Sequence, residues 1–146
     1  MGFFRIPNRD RLAIMATLED VGRIARGLPD VGEDVTRGHL GWRVKDKGFA
    51  WERPLRPGDL DALGERAPKG PVLAAYVPDV GVKDALIADD PDVFFTTPHF
   101  NGFPAILVEL DRIDPETLDE VLVEAWLCRA PEKLAAEFLE NRGESS

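Results

Sequence analysis

A chain of 146 residues, 44% hydrophobic and 31% charged, has the length and balance of one ordinary globular domain. Its formal charge of −9 argues against non-specific grip on a polyanion, and its single cysteine excludes an internal disulfide framework. No apolar run approaches the roughly 20 residues that cross a bilayer, and Pro7, Asn8 and Asp10 interrupt any signal-peptide core, so no membrane partner and a cytoplasmic location are expected.

Residues 1–16 show no clear period and read as an arm, residues 17–140 as a single domain and 141–146 as a flexible tail. Thr17 followed by Asp20 reads as a helix start, with Leu18, Val21, Ile24 and Ala25 at helical spacing and Gly27 and Pro29 as the stop. Leu40, Trp42 and Val44 then alternate with Gly41, Arg43 and Lys45. Asp46-Lys47-Gly48 turns the chain into Phe49-Ala50-Trp51, which predicts a hairpin whose Trp42, Val44, Phe49 and Trp51 can all face a core. Residues 53–71 hold four prolines and three glycines and read as a surface connector with a short helix near 59–65.

Val72 to Val77 is apolar on both faces, as a central strand would be. A short helix over 79–89 follows, with Val82, Leu86 and Ile87 as its inner side. Then comes DVFFTTPHFNGFPAILVEL, which reads as strand, turn at Asn101-Gly102, and strand. Ile106, Val108 and Leu110 share one face of the second strand and are its better core candidates. Asp114-Pro115 opens the longest helix, with Leu118, Val121, Leu122, Ala125 and Trp126 as its apolar stripe. Ala130-Pro131 interrupts it before a last helix carrying Leu134, Ala135, Phe138 and Leu139. Cys128, beside Trp126 and Leu127, reads as a packed thiol. The order implies an α+β fold: an antiparallel β-sheet of about five strands with helices on one face, N- and C-terminal helices flanking, and the other face left to solvent or ligand.

The segments LPDV, RGHLGWRVKDKGFAWER, PDVFFTTPHFNGFPAILVEL and AWLCRAPEKLAAEF, in that order, resemble the MmcQ/YjbR-like family over roughly Leu18 to Phe138. The resemblance implies a topology similar to frataxin and a double-wing DNA-binding role without an established reaction. The wings would be the hairpins with tips near Asp46-Lys47-Gly48 and Asn101-Gly102. The second tip departs from a family pattern of a basic residue and a Trp: it reads Phe100-Asn101-Gly102-Phe103, with no Lys or Arg.

Charge is unevenly spread. Residues 36–56 hold six basic residues against two acidic ones, a net +4, while residues 109–146 hold four against eleven, a net −7. Arg37, His39, Arg43 and Lys45 have one parity, so an uninterrupted strand turns them to a single outward face. With His99 they form the candidate anion-binding set, for DNA phosphate or a small anionic ligand. The plainer reading of the cations is a solvated strand face that discourages edge pairing. For His99 it is a turn histidine. Two histidines without a third ligand call for no metal, and no GxSxG, HExxH, P-loop or dinucleotide motif names a catalytic residue or a cofactor. The oligomeric state is left open.

Overall fold

A computed structural model describes residues 16–145, so the expected arm lies outside it except for Ala16. Helix α1 (Leu18–Arg26) starts at the expected capping box: the Thr17 hydroxyl accepts from Asp20 N at 3.1 Å, and the Asp20 carboxylate accepts from Thr17 N at 2.9 Å. Strands β1 (Val31–Thr36), β2 (His39–Val44) and β3 (Lys47–Glu52) follow, then α2 (Pro57–Leu63) and β4 (Val72–Tyr76). After α3 (Val80–Asp89) come β5 (Phe94–Phe95), β6 (Ala105–Glu109), α4 (Pro115–Arg129) and α5 (Glu132–Ser145).

The strands form one antiparallel sheet in the order β1-β2-β3-β4-β6-β5. The sheet has six strands where about five were expected, and the addition is β1, an edge strand. It pairs with β2 through a two-residue turn, Arg37-Gly38, whose φ values of 54° and 83° are those of a tight hairpin reversal. The second hairpin is reduced. Only Phe94 and Phe95 pair with β6, opposite Val108 and Leu107, and residues 96–104 form a loop with a single 3-10 turn over Pro98–Phe100.

Helices α1, α4 and α5 lie on one face. There Trp42, Val44, Phe49, Leu73, Ile106 and Val108 meet Val21, Leu118, Leu122 and Trp126 in the main core. Trp126 is fully buried, and its indole N–H donates to the Pro29 carbonyl at 3.0 Å, so its polar atom is satisfied. The Cys128 thiol is half-buried on α4, and burial pushes it up to about 11, which fits the expected packed, unreactive thiol.

A bulge decides where the hairpin aromatics go. Trp42 stands opposite Ala50 and Arg43 opposite Gly48, so Phe49 is the extra residue. Phe49 and Ala50 are therefore both buried, and Trp51 emerges on the opposite face, away from the main core. That second face is not bare, as had been expected. Val72, Ala74, Ala105 and Leu107 are covered there by Phe100 from the 96–104 loop, with Trp51, Leu55 and Phe95 around it. Both faces of the central strands are thus buried, and the residues between β3 and β4 and between β5 and β6 supply the second roof.

Candidate functional site

The basic residues of the first hairpins do not gather on one face. Arg37 sits in the β1–β2 turn and Lys45, with φ of 55°, in the β2–β3 turn, at opposite ends of β2. At the rise of an extended strand those ends are roughly 20 Å apart. Arg37 and Lys45 do not follow the alternation of β2 because both lie outside the strand. Only His39 and Arg43 belong to β2 itself.

Most of these cations already have carboxylates. Arg43 lies 2.9 Å from Asp34 on the adjacent β1, and Lys45 lies 3.1 Å from Asp30, which precedes β1. His39 Nδ1 is 3.6 Å from Glu52 Oε1, beyond hydrogen-bond reach, and is buried without a partner. Arg37 and Lys47 are exposed and make no ion pair with any described residue. β1 was the unforeseen strand, and its acidic residues neutralise the basic strand beside it. His99 is exposed on the 3-10 turn with its ring edge-on to Phe100, 5.1 Å between centroids. The described contacts do not join the two imidazoles.

A different set of residues converges on the second sheet face. Phe100 lies 6.4 Å from Trp51, Trp51 lies 5.8 Å from Tyr76, and Tyr76 lies 5.6 Å from Phe103. Phe103 lies 6.1 Å from Phe100, so the four rings form a closed cluster, and a guanidinium stands over two of them: Arg53 is 5.2 Å from the Phe100 ring centre and Arg129 is 4.3 Å from that of Tyr76. Arg53 is buried and bound to Asp59 at 3.2 Å, which corrects its place in a surface connector. Arg129 is half-buried, its Nε donates to the Gly48 carbonyl at 3.0 Å, and no carboxylate comes within ion-pair distance of it among the described residues. Phe103, 39% exposed, is the most open ring of the set.

Lys83 completes this end. The helix over 79–89 turns it inward beside Leu86 and Ile87, while Val82, expected to be inside, is exposed. Lys83 is 2% exposed, and its Nζ donates to the carbonyls of Phe100 and Phe103, the latter at 2.9 Å. Burial holds the ammonium below its ordinary value, and the neighbouring Asp84 only partly offsets this. It pins the 96–104 loop, and through it the aromatic roof, to α3.

Neither Arg129 nor Lys83 was singled out by its sequence. Each sits on a helix where a charged residue reads as solvent-facing. The usable signal for Lys83 is its i, i+3, i+4 spacing with Leu86 and Ile87. For Arg129 it is a cation in the last helical turn just before Ala130-Pro131.

Among the described residues no group of three His, Cys, Asp or Glu side chains is placed to hold a metal, and no helix is long and apolar enough to cross a membrane. Three comparisons bear on identity. The chain is 50% identical over 132 residues to uncharacterized proteins of Mycobacterium tuberculosis and Mycobacterium bovis, covering 88% of this chain and 100% of theirs. A crystal structure of a Deinococcus radiodurans protein with a DUF419 domain matches its fold with a TM-score of 0.59 and 19% identity, over 77% of this chain and 78% of that one. The YjbR family model matches residues 26–128, which span β1 to β6 and most of α4. With 103 of 146 residues inside that match, the chain belongs to the YjbR family.

Proposed function

We propose that the chain is a binding module for a small anionic ligand with a planar portion, held where Arg129, Tyr76 and Phe103 meet at the end of the sheet. One observation carries this reading. The Arg129 guanidinium is fixed over the Tyr76 ring by its Nε bond to Gly48, and its terminal nitrogens have no carboxylate partner among the described residues. A guanidinium ordered in advance loses little freedom when it forks onto a carboxylate or phosphate. The partly open Phe103 ring beside Tyr76 offers a surface for a planar group. The reading assigns no reaction to the chain.

The test is a thermal-shift and calorimetric titration with inorganic phosphate, benzoate and adenosine monophosphate, on the native protein and on Arg129→Gln. Saturable stabilisation by benzoate or the nucleotide is expected, about 2.7 kcal/mol at a hundredfold excess over Kd, and it should vanish in the variant. Binding that survives in Arg129→Gln, or none of the three ligands binding at millimolar concentration, ends the proposal. Phosphate binding as tightly as the nucleotide would remove the planar requirement.

The double-wing DNA role implied by the family resemblance is the second reading. In its favour, Lys47 at the tip of the first wing and Arg37 at the adjoining turn are exposed and unpaired among the described residues. It predicts duplex binding at low salt that weakens in Arg37→Ala and Lys47→Ala. Flat fluorescence anisotropy on a duplex at low salt removes it.

A further inference from the structure

The opposite end of the sheet carries a feature that the proposed anion site does not use. Where β3 ends and β4 begins, the intervening residues and α2 enclose a cleft of about 260 Å3. Leu55, Leu60, Pro71 and Val72 contribute apolar walls, and Glu52 and Arg53 contribute the charged ones. The two charges differ in how they are matched. Arg53 spends its charge on Asp59, whose Oδ2 also accepts from Arg56 N at 2.9 Å.

Glu52 is half-buried and has no lysine or arginine within ion-pair distance among the described residues. Its Oε1 accepts from Leu40 N at 3.1 Å and faces His39 Nδ1 at 3.6 Å, and its Oε2 has no hydrogen-bond partner among them. A second carboxylate borders the rim: a Cβ on Gly70, which lines the cleft, would stand 2.0 Å from Asp111 Oδ2. With Arg53 matched by Asp59, the lining is largely apolar and Glu52 carries its unmatched charge.

We propose that this cleft binds a small apolar primary ammonium, with the ammonium on Glu52 and the hydrocarbon body against Leu55, Leu60 and Val72. An anion is repelled by both carboxylates. A guanidinium is a poorer fit than an ammonium, because its fork needs two free carboxylate oxygens and Oε1 already serves Leu40. The volume, about that of eight or nine waters, suits an amine of benzylamine size. The site does not depend on Arg129 or on the anion reading, so the two stand or fall separately.

Benzylamine is the probe, with benzyl alcohol as its uncharged counterpart, read by thermal shift and by amide peak positions in 1H–15N spectra. Saturable binding of benzylamine is expected, with peak movements confined to residues 52–55 and 70–72 and affinity at least about tenfold above that of benzyl alcohol. Glu52→Gln keeps an acceptor for Leu40 N while removing the charge, and it should abolish the preference. Equal binding of the two probes, peak movements elsewhere, unchanged binding in Glu52→Gln, or no binding by benzylamine at millimolar concentration overturns the proposal. If Glu52→Gln does not fold, the comparison of the two probes on the native protein decides alone.

Discussion

The cations of the β1–β2–β3 edge and those at the aromatic end of the sheet are the same residue types in opposite circumstances. At the edge, Arg43 and Lys45 are half-exposed and each meets a carboxylate, Asp34 or Asp30, contributed from the neighbouring strand or its entry. At the other end, Lys83 is buried on two backbone carbonyls and Arg129 rests on a carbonyl and an aromatic face, with no carboxylate partner among the described residues. A run of positive charge in a sequence therefore says little about positive potential on the fold. Cross-strand neighbours cancel it where the strands are short and mixed in sign. Cations on helices escape that cancellation when their side chains reach over an edge of the sheet.

The largest expected effect is at Lys83. Replacing it by Met keeps the packing length and takes the ammonium away from the Phe100 and Phe103 carbonyls, which keep only their backbone donors, Phe103 N at 3.0 Å and Ala105 N at 2.8 Å. Each hydrogen bond lost from a charged donor costs about 1.5–3 kcal/mol and relief of the buried ammonium offsets part of that sum, so urea unfolding should show a loss of about 2–5 kcal/mol. Arg43→Gln, which breaks an exposed pair, should stay within about 1 kcal/mol. A Lys83→Met loss no greater than that of Arg43→Gln would erase the contrast between the two regions. The dependence on pH has a definite sign. Burial places the folded-state value of Lys83 below the ordinary 10.5, so between the two values the unfolded chain holds more protons. Stability relative to Lys83→Met should therefore rise as pH climbs toward 10.5 and level off above it.

Much of the fold was legible. The Thr17–Asp20 box, the Asp114-Pro115 start, the apolar run at Val72 and the stripe of α4 each follow local chemistry, and each element formed where that chemistry placed it. β1 was missed because VGEDVT carries a glycine and two acidic residues that disfavour a strand. It forms through its tight turn into β2 and through Glu33, whose carboxylate accepts from the Trp42 indole at 2.8 Å and from Arg26 at 3.0 Å. Neither tie has a period in the sequence.

The Phe49 bulge was equally invisible, and it alone sent Trp51 to the second face. The candidate site was read less well than the fold for the same reason. Assigning Arg37, Arg43 and Lys45 to one surface required knowing where β2 stops. The residues that gather instead, Arg129 and Lys83 with Tyr76 and Phe103, come from separate segments that only the tertiary fold brings together.

A smaller effect sharpens the comparison from the hairpin side. Asp30→Asn with Asp34→Asn removes the two carboxylates while leaving their hydrogen-bonding capacity, so Lys45 and Arg43 keep their places and recover their charge. Stability should move by no more than about 1 kcal/mol. Duplex DNA affinity at low salt should rise, and the slope of log K against log salt should steepen by up to about 1.8, or 0.9 for each freed cation. An unchanged slope would mean that these two side chains cannot meet phosphate even when unpaired, leaving Lys47 and Arg37 as the only hairpin cations available to DNA.

The smallest effect tests whether burial or pairing governs a carboxylate between the two regions. Glu109 ends β6, half-buried, with Arg112 Nε 3.6 Å away. Burial raises it above its ordinary 4.5, the nearby Asp111 and Asp92 raise it further, and Arg112 opposes them. A carboxyl raised in the folded state binds its proton more tightly there than in the unfolded chain. It therefore supports the fold in acid, and that contribution is lost as pH rises through the folded value. At neutral pH the charged form is the strained one, so Glu109→Gln should raise the melting temperature slightly there. The gain should shrink as pH falls toward 4.5 and disappear below it. A variant less stable than the native protein at neutral pH would show that the Arg112 contact outweighs burial, and that even a half-buried position on this sheet is governed by its ion partner, as the hairpin cations are.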